Sequence, residues 1–198
     1  MEEKTAIEEL QFIRKIIDES RRAVIYNGFD YIFWGVLVIV GMLSTYFLEI
    51  IHVYFNYALI WAVLIPFGWL VSIYNGIKTK SRQPHTFAHK ILSYVWGATG
   101  VGMTLVGFIG PASGCISPLA ISPILAIMVG GAYFLTGKIV DSKWTSNLAF
   151  GWWTGGIILL FIQSVVQLLV MALLMLLFQT IPGIIIYRKY KTEEPVKP

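Results

Sequence analysis

Charged residues are scarce in this 198-residue chain, since only 13% of its residues are Asp, Glu, Lys or Arg. A soluble domain usually contains about 25%. Hydrophobic residues make up 57% of the chain, and the mean hydropathy is +0.71. These values exclude a disordered chain and an ordinary water-soluble globule. The length accommodates several membrane spans of about 20 residues each, without room for a second folded domain.

Other absences narrow the functional classes. Cys115 is the single cysteine, which excludes an intramolecular disulfide. No ionisable Asp, Glu, Lys, Arg or His lies in the middle of a predicted span, although proton relays and ion-coupled carriers usually need one there. Sequence patterns of zinc proteases and phosphate-binding loops are also missing. We therefore predict a protein that is not an enzyme, uses no cofactor or metal and is not proton-driven.

The apolar residues fall into runs that predict an all-α membrane protein with six transmembrane helices within residues 29–190. The last apolar stretch, Thr145–Tyr187, would extend about 64 Å as one helix, twice the thickness of a bilayer core. It must therefore reverse, and the polar residues Gln163, Ser164 and Gln167 mark the place. The predicted spans are about 31–51, 57–77, 91–110, 118–136, 146–162 and 166–187.

The positions of the basic residues provide a test of this span count. With six spans and a cytoplasmic N-terminus, all 15 Lys and Arg residues lie in cytoplasmic segments. Five spans would place the last four outside, against the tendency of basic residues to stay on the cytoplasmic side. We therefore expect both termini in the cytoplasm, with residues 191–198 as a tail. The net charge of +4 then reflects membrane orientation, and nucleic acid is not an expected partner.

The N-terminal region, residues 1–28, is predicted to form a cytoplasmic amphipathic helix over 4–27. Its apolar residues recur at helical spacing on one face. Its polar face has nearly balanced charge, whereas a helix that lies on anionic lipid is clearly basic. We expect it to pack against the bundle, another copy of the chain or a soluble partner. The apolar stripe consists of Ala6, Leu10, Ile13, Ile17 and Val24.

The segment Glu8–Arg22, together with Asn27-Gly28 and the aromatic-led first span, resembles the opening of a group of small bacterial integral membrane proteins without an assigned activity. The likeness covers about the first forty residues. It implies a bacterial inner-membrane location and supplies no catalytic residues. Some members are encoded beside winged-helix regulators, which implies a docking role for the N-terminal helix.

The size and six-span layout are also similar to the vitamin-binding S-components of energy-coupling-factor transporters. Those proteins carry an alanine-x-x-x-alanine face on their first span. Here the corresponding region contains Gly35, Gly41 and Ser44, so the likeness concerns architecture.

Glycines in the third and fifth spans are predicted to support close helix packing, because small residues let helix backbones approach each other. Packing within the monomer and a dimer seam both remain open. The residues are Gly97, Gly100, Gly102, Gly151 and Gly155.

The six spans group into three hairpins whose first helices begin with similar aromatic-glycine clusters, such as Trp34-Gly35 and Trp96-Gly97. Either an internal duplication or the ordinary aromatic belt of membrane helices explains this pattern. Pro66 and Pro182 are predicted to interrupt spans two and six, since proline cannot donate a backbone hydrogen bond.

Two functions follow from these observations. The leading hypothesis is a non-enzymatic scaffold or regulator in the lipid bilayer, with a cytoplasmic protein partner bound by the N-terminal helix and homo-oligomers as a further option. The alternative is a subunit that binds or translocates a small neutral or apolar solute. The candidate ligand-binding residues for that alternative are Asn56, Gln163, Gln167, Gln179, Trp152 and Trp153, with Trp61 and Trp69 as further aromatic lining.

Overall fold

The computed structural model describes residues 28–52, 55–80 and 87–193, and the regular structure in these ranges is entirely helical. The predicted helix at 4–27 and residues 194–198 of the tail lie outside them. The helices are α1 (Gly28–Ile50), α2 (Ala58–Lys80), α3 (Phe87–Thr104, continued by Leu105–Ile109 and Gly110–Ala112), α4 (Pro118–Ile139), α5 (Lys143–Phe161) and α6 (Val166–Met175, continued by Leu176–Thr180 and Ile181–Glu193).

Five of these helices are long and apolar enough to cross a membrane, which is the pattern of a multi-pass membrane protein. The sequence predicts six, and the helix that is not among these five is α5. Its first half contains Lys143 and Asn147 beside two buried hydroxyl residues, Thr145 and Ser146, so its average is less apolar. The five candidate spans are Gly28–Ile50, Ala58–Lys78, His89–Ala112, Pro118–Ile139 and Val166–Arg188.

Helices α1, α4, α5 and α6 form a tightly packed four-helix unit. The most extensive contact is between α4 and α5, and α1 packs along α6. The core of the unit contains Tyr133 and Trp152, which are both completely buried. Few residues of α2 and α3 are buried, in contrast to about half of those in α6. We call α2 and α3 the peripheral hairpin.

Tryptophan rings that lie against glycines attach α2 of the peripheral hairpin to α1. A Cβ atom on Gly41 of α1 would lie 2.7 Å from the Trp61 ring of α2. In the opposite direction, Trp34 of α1 covers Gly68 of α2, and its indole N–H donates to the Ser72 hydroxyl over 2.8 Å. These glycines therefore bring α2 close to α1 through a small contact area.

The helix bundle has two chemically distinct ends. At one, Asn75 of α2 donates to Asp30 of α1 over 3.4 Å, and a small apolar cluster joins Leu92, Val140 and Ile186. We call this the basic end, because it also holds the cations Lys78, Lys90, Lys138, Lys143 and Arg188. The opposite, connector end holds the links between α1 and α2, α3 and α4, and α5 and α6.

The turn between α4 and α5 is short and well capped. The Ser142 N–H donates to the Gly137 carbonyl over 2.8 Å, and the Ser142 hydroxyl accepts from the Thr145 N–H over 3.3 Å, which satisfies one of the free donors at the start of α5. At the other end of α5 the chain reverses between Phe161 and Val166. This is the position that the polar residues predict.

Two π-helical segments, Leu105–Ile109 in α3 and Leu176–Thr180 in α6, share a sequence feature. Each is followed by one residue and then a proline, Pro111 or Pro182. Proline lacks an N–H, and its ring clashes with the carbonyl four residues earlier. A π-helical turn is wider than an α-helical turn by one residue. The N–H of the residue before each proline therefore donates to the carbonyl five positions back instead of four. The helix α6 absorbs Pro182 in this π turn, and α2 continues through Pro66 as an α-helix.

Candidate functional site

An aromatic core lies where α1, α3, α4, α5 and α6 meet. The rings of Tyr31 and Trp96 are perpendicular with centroids 5.4 Å apart, and Trp96 has the same relation to Tyr133. The rings of Tyr133 and Trp152 are stacked at 6.4 Å, and Trp152 contacts Phe178 at 6.4 Å. We define the aromatic core as these five residues.

Polar groups in and around the aromatic core bond to one another. The Tyr133 hydroxyl donates to Gln179 Oε1 over 2.7 Å, and the Trp96 indole N–H donates to the Thr136 hydroxyl over 3.1 Å. Trp152 Nε1 is buried and has no hydrogen-bond partner among the described residues. An unpaired buried donor costs about 1–3 kcal/mol. The hydrogen bonds of Tyr133 and Trp96 therefore link α4 to α6 and α3 to α4 through uncharged side chains.

The structure brings only part of the predicted ligand-binding set together. Gln179 and Trp152 meet at Tyr133 in the aromatic core. Trp153, the neighbour of Trp152, points away and donates to the Ile127 carbonyl over 3.2 Å. Its ring lies against Phe134.

The remaining predicted residues lie at the connector end and complete helix termini. Asn56 is exposed, and its Oδ1 accepts from the Ala58 N–H over 3.1 Å. Gln163 Nε2 donates to the Leu160 carbonyl, and the buried Gln167 Nε2 donates to the Leu159 and Ile162 carbonyls over 2.9 and 3.2 Å. The last carbonyls of a helix lack partners within the helix, so the two glutamine amides satisfy the end of α5.

The predicted packing glycines have different surroundings. Gly151 and Gly155 of α5 face α6, where added Cβ atoms would lie 2.4 Å from Phe178 and Leu174. Gly100 lies under the Trp69 ring of α2, and Gly102 lies against Met128 of α4. Gly97 does not take part, because a Cβ there would meet no atom within 4 Å.

A groove of about 650 Å³ opens between α2 and α3 on the side of the molecule, and we call it the lateral groove. Its lining includes Pro66, predicted to interrupt span two, and Trp69, a predicted aromatic lining residue of the bundle. The α3 wall could not be predicted, because it depends on the π-helical segment at Leu105–Ile109. The lining residues are Ala62, Ile65, Pro66, Trp69, Leu70, Thr104, Leu105, Phe108 and Ile109.

An acidic side chain at the connector end also has a defined partner. The Tyr57 hydroxyl donates a short hydrogen bond to the Glu49 carboxylate. This bond, together with partial desolvation and the nearby negative charge, raises the pKa of Tyr57 above its ordinary value. His52 lies in the same connector with a left-handed backbone, at φ 53°.

Comparisons with protein-family models, curated proteins and solved structures found no match. The resemblances seen in the N-terminal segment and the span layout therefore stay predictions.

Proposed function

We propose that this chain is a non-enzymatic protein of the bacterial inner membrane that acts as a scaffold or regulator, with the N-terminal segment, residues 1–28, as its docking element. The observation that carries the proposal is the state of the bundle core. The side chains best suited to line a solute path, Tyr133, Trp152 and Gln179, are buried against one another. A filled core favours a role in binding partners over passage of a solute through the bundle.

We further propose that α5 is a sixth span. Its 19 residues correspond to about 28 Å, close to the thickness of a bilayer core. It begins at the basic end with Lys143 and ends near Gln167 at the connector end. Two of its hydroxyl residues, Thr145 and Ser146, are buried, and Gly137 of α4 packs against Ser146. A six-span arrangement with cytoplasmic termini then places the basic end in the cytoplasm, as expected for Lys and Arg.

Cysteine labelling tests this topology. Cys115 is exposed in the connector between α3 and α4, so an impermeant maleimide should label it from outside in intact cells. In a Cys115→Ala background, Gln163→Cys should also be labelled from outside, and Asp141→Cys only after permeabilisation. Labelling of Gln163→Cys and Asp141→Cys from the same side would exclude α5 as a span.

Removal of residues 2–27 tests the docking role. We expect the truncated protein to insert and elute as a folded bundle but to lose the partners that the full chain retains in a pull-down. A double substitution in the apolar stripe, Leu10→Ser with Ile17→Ser, should have the same effect, whereas Gln11→Ser, outside the stripe, should not. An unchanged set of bound proteins in the truncated form would refute the proposal.

The alternative function, binding of a small neutral solute in the bundle, makes a different prediction. A ligand that binds only the folded state raises its stability. A thermal-shift screen with neutral vitamins that finds a stabilised state would favour the alternative over the scaffold.

A further inference from the structure

The lateral groove lies at the depth of the membrane interior. Its α2 wall runs from Ala62 to Leu70 within the candidate span Ala58–Lys78. At 1.5 Å per residue, this wall begins about 6 Å from the start of the span and extends for about 12 Å. The rim residues Leu70, Leu105 and Ile109 are exposed to the surroundings. The groove therefore opens sideways toward lipid.

The chemistry of the groove selects for a hydrocarbon occupant. Thr104 and Trp69 carry the polar side-chain atoms of its lining, and both are already engaged. The Thr104 hydroxyl donates to the Gly100 carbonyl over 2.8 Å and lies 3.5 Å from the Trp69 indole nitrogen, which donates to it. A ligand with unsatisfied donors or acceptors would lose hydrogen bonds to water without replacement, whereas a saturated chain loses none.

The shape of the groove is built into both walls. Pro66 removes a backbone hydrogen bond in the middle of α2, and the facing wall of α3 is the π-helical segment at Leu105–Ile109. The volume of about 650 Å³ lies in the usual range of ligand sites, about 300–1,000 Å³. The groove is therefore wide enough for a flexible tail.

We propose that the lateral groove binds a hydrocarbon tail of a membrane phospholipid, which enters from the side between α2 and α3 and lies against Trp69 and Phe108. This site is separate from the proposed docking segment at residues 1–28, so the two proposals can fail independently. The peripheral hairpin would then hold a lipid as part of its structure, beyond the general solvation of the helix surfaces by lipid.

Photolabelling tests the site with the full chain in phosphatidylethanolamine–phosphatidylglycerol vesicles. The probe is a phosphatidylcholine with a diazirine in the middle of one acyl chain. After irradiation and digestion, mass spectrometry compares adducts on the 104–109 segment with those on 157–161 of α5, which also carries exposed apolar side chains. We expect several-fold higher labelling of the 104–109 segment.

Two substitutions of the same kind separate the groove from the general surface. Ala62→Phe fills the groove, whereas Ala98→Phe adds the same bulk at an exposed position of α3 outside its lining. We expect Ala62→Phe to lower labelling of 104–109 to the level of 157–161 and Ala98→Phe to leave it unchanged. If Ala62→Phe does not fold, Ile109→Trp at the exposed rim is the second filling variant.

Several results would overturn the proposal. Equal labelling of the two segments would mean ordinary surface lipid. High labelling that persists in both filling variants would place the lipid elsewhere. Cross-links between two chains at 104–109 in place of lipid adducts would assign the groove to a second copy. Preferential labelling by a free fatty acid with the same diazirine would reject a phospholipid as the source of the tail.

Discussion

At the residue scale, Gly137 shows how completely a contact can exclude a side chain. A Cβ atom there would lie 2.3 Å from both the backbone nitrogen and the hydroxyl of Ser146. We expect Gly137→Ala to lower the free energy of unfolding by about 1–3 kcal/mol, the usual cost of overpacking, because a backbone atom cannot move aside. Thermal unfolding in detergent, followed by tryptophan fluorescence, measures the change.

Gly131 of the same helix provides the matched control. A Cβ there would meet no atom within 4 Å, and alanine is favoured over glycine in helices. Gly131→Ala should therefore keep or slightly raise the melting temperature. Equal melting temperatures for the two variants would contradict the close approach of α4 and α5 at Gly137.

The hydrogen bond between Tyr57 and Glu49 gives a prediction about pH. Because the bond stabilises the neutral phenol, the pKa of Tyr57 is raised in the folded protein. Its contribution to stability is present below the unfolded pKa, about 10, and is lost as the pH rises through the folded value. The absorbance titration of the wild type minus that of Tyr57→Phe isolates this tyrosine. Glu49→Gln should lower the pKa of Tyr57 toward its ordinary value. If Tyr57 titrates identically with and without this substitution, the hydrogen bond to Glu49 is absent.

Single residues also show where sequence reasoning reaches its limit. The sequence identifies Gln167 and Gln179 as unusual amides in apolar surroundings, but it does not show which groups they bond to. Gln167 bonds to the end of the preceding helix, whereas Gln179 bonds to Tyr133, 46 positions away. Composition marks both residues as noteworthy, and only the tertiary arrangement separates a helix-end contact from a core contact.

At the element scale, the Gly-x-x-x-Gly of α5 joins two helices of one chain. A Cβ on Gly155 would meet the ends of the Leu174 side chain on α6, which can adjust more easily than a backbone. We expect Gly155→Ala to lower the free energy of unfolding by about 1 kcal/mol, the lower end of the usual cost of overpacking. The oligomeric mass should not change. Light scattering during size exclusion tests the second part. A lower mass in the variant would instead indicate that these glycines form a dimer seam.

The helices themselves were largely predictable, because long apolar runs with Gly, Pro and polar interruptions define them. The bilayer thickness requires a reversal in the last apolar run, and the polar residues near Gln163 give its position. The π-helical segments did not follow from hydropathy, although both precede a proline at the same spacing. The lateral groove depends on one of them, which explains why Thr104 and Phe108 carried no signal in the sequence.

At the scale of the whole molecule, the structure predicts unequal local stability. The four-helix unit buries much of α4 and α6, whereas few residues of α2 and α3 are buried. Regions with fewer buried contacts open locally at lower free energy. In detergent, amide hydrogens of the 58–80 and 89–112 segments should therefore exchange faster than those of 118–139. Uniform protection across these segments, measured by mass spectrometry, would contradict the division into a packed unit and a peripheral hairpin.

Charge placement is a property of the whole chain. The described cations gather at one end of the bundle, where Asp30 meets Asn75 and Leu92 meets Ile186. The membrane orientation that this implies is part of the proposed function. The sequence does not show which helices form the packed unit, because lipid-facing surfaces and core surfaces are both apolar.

The contact between α1 and α6 has a consequence for synthesis of the chain. Gly28 lies against the backbone of Tyr187, Gly35 against Thr180, and Gly183 against Tyr31. The ribosome makes α1 first and α6 last, so the glycine face of α1 must wait in the membrane until nearly the whole chain has been translated. A chain truncated before α6 would leave this face uncovered, so α1 reaches its final packing only when the last helix has been inserted.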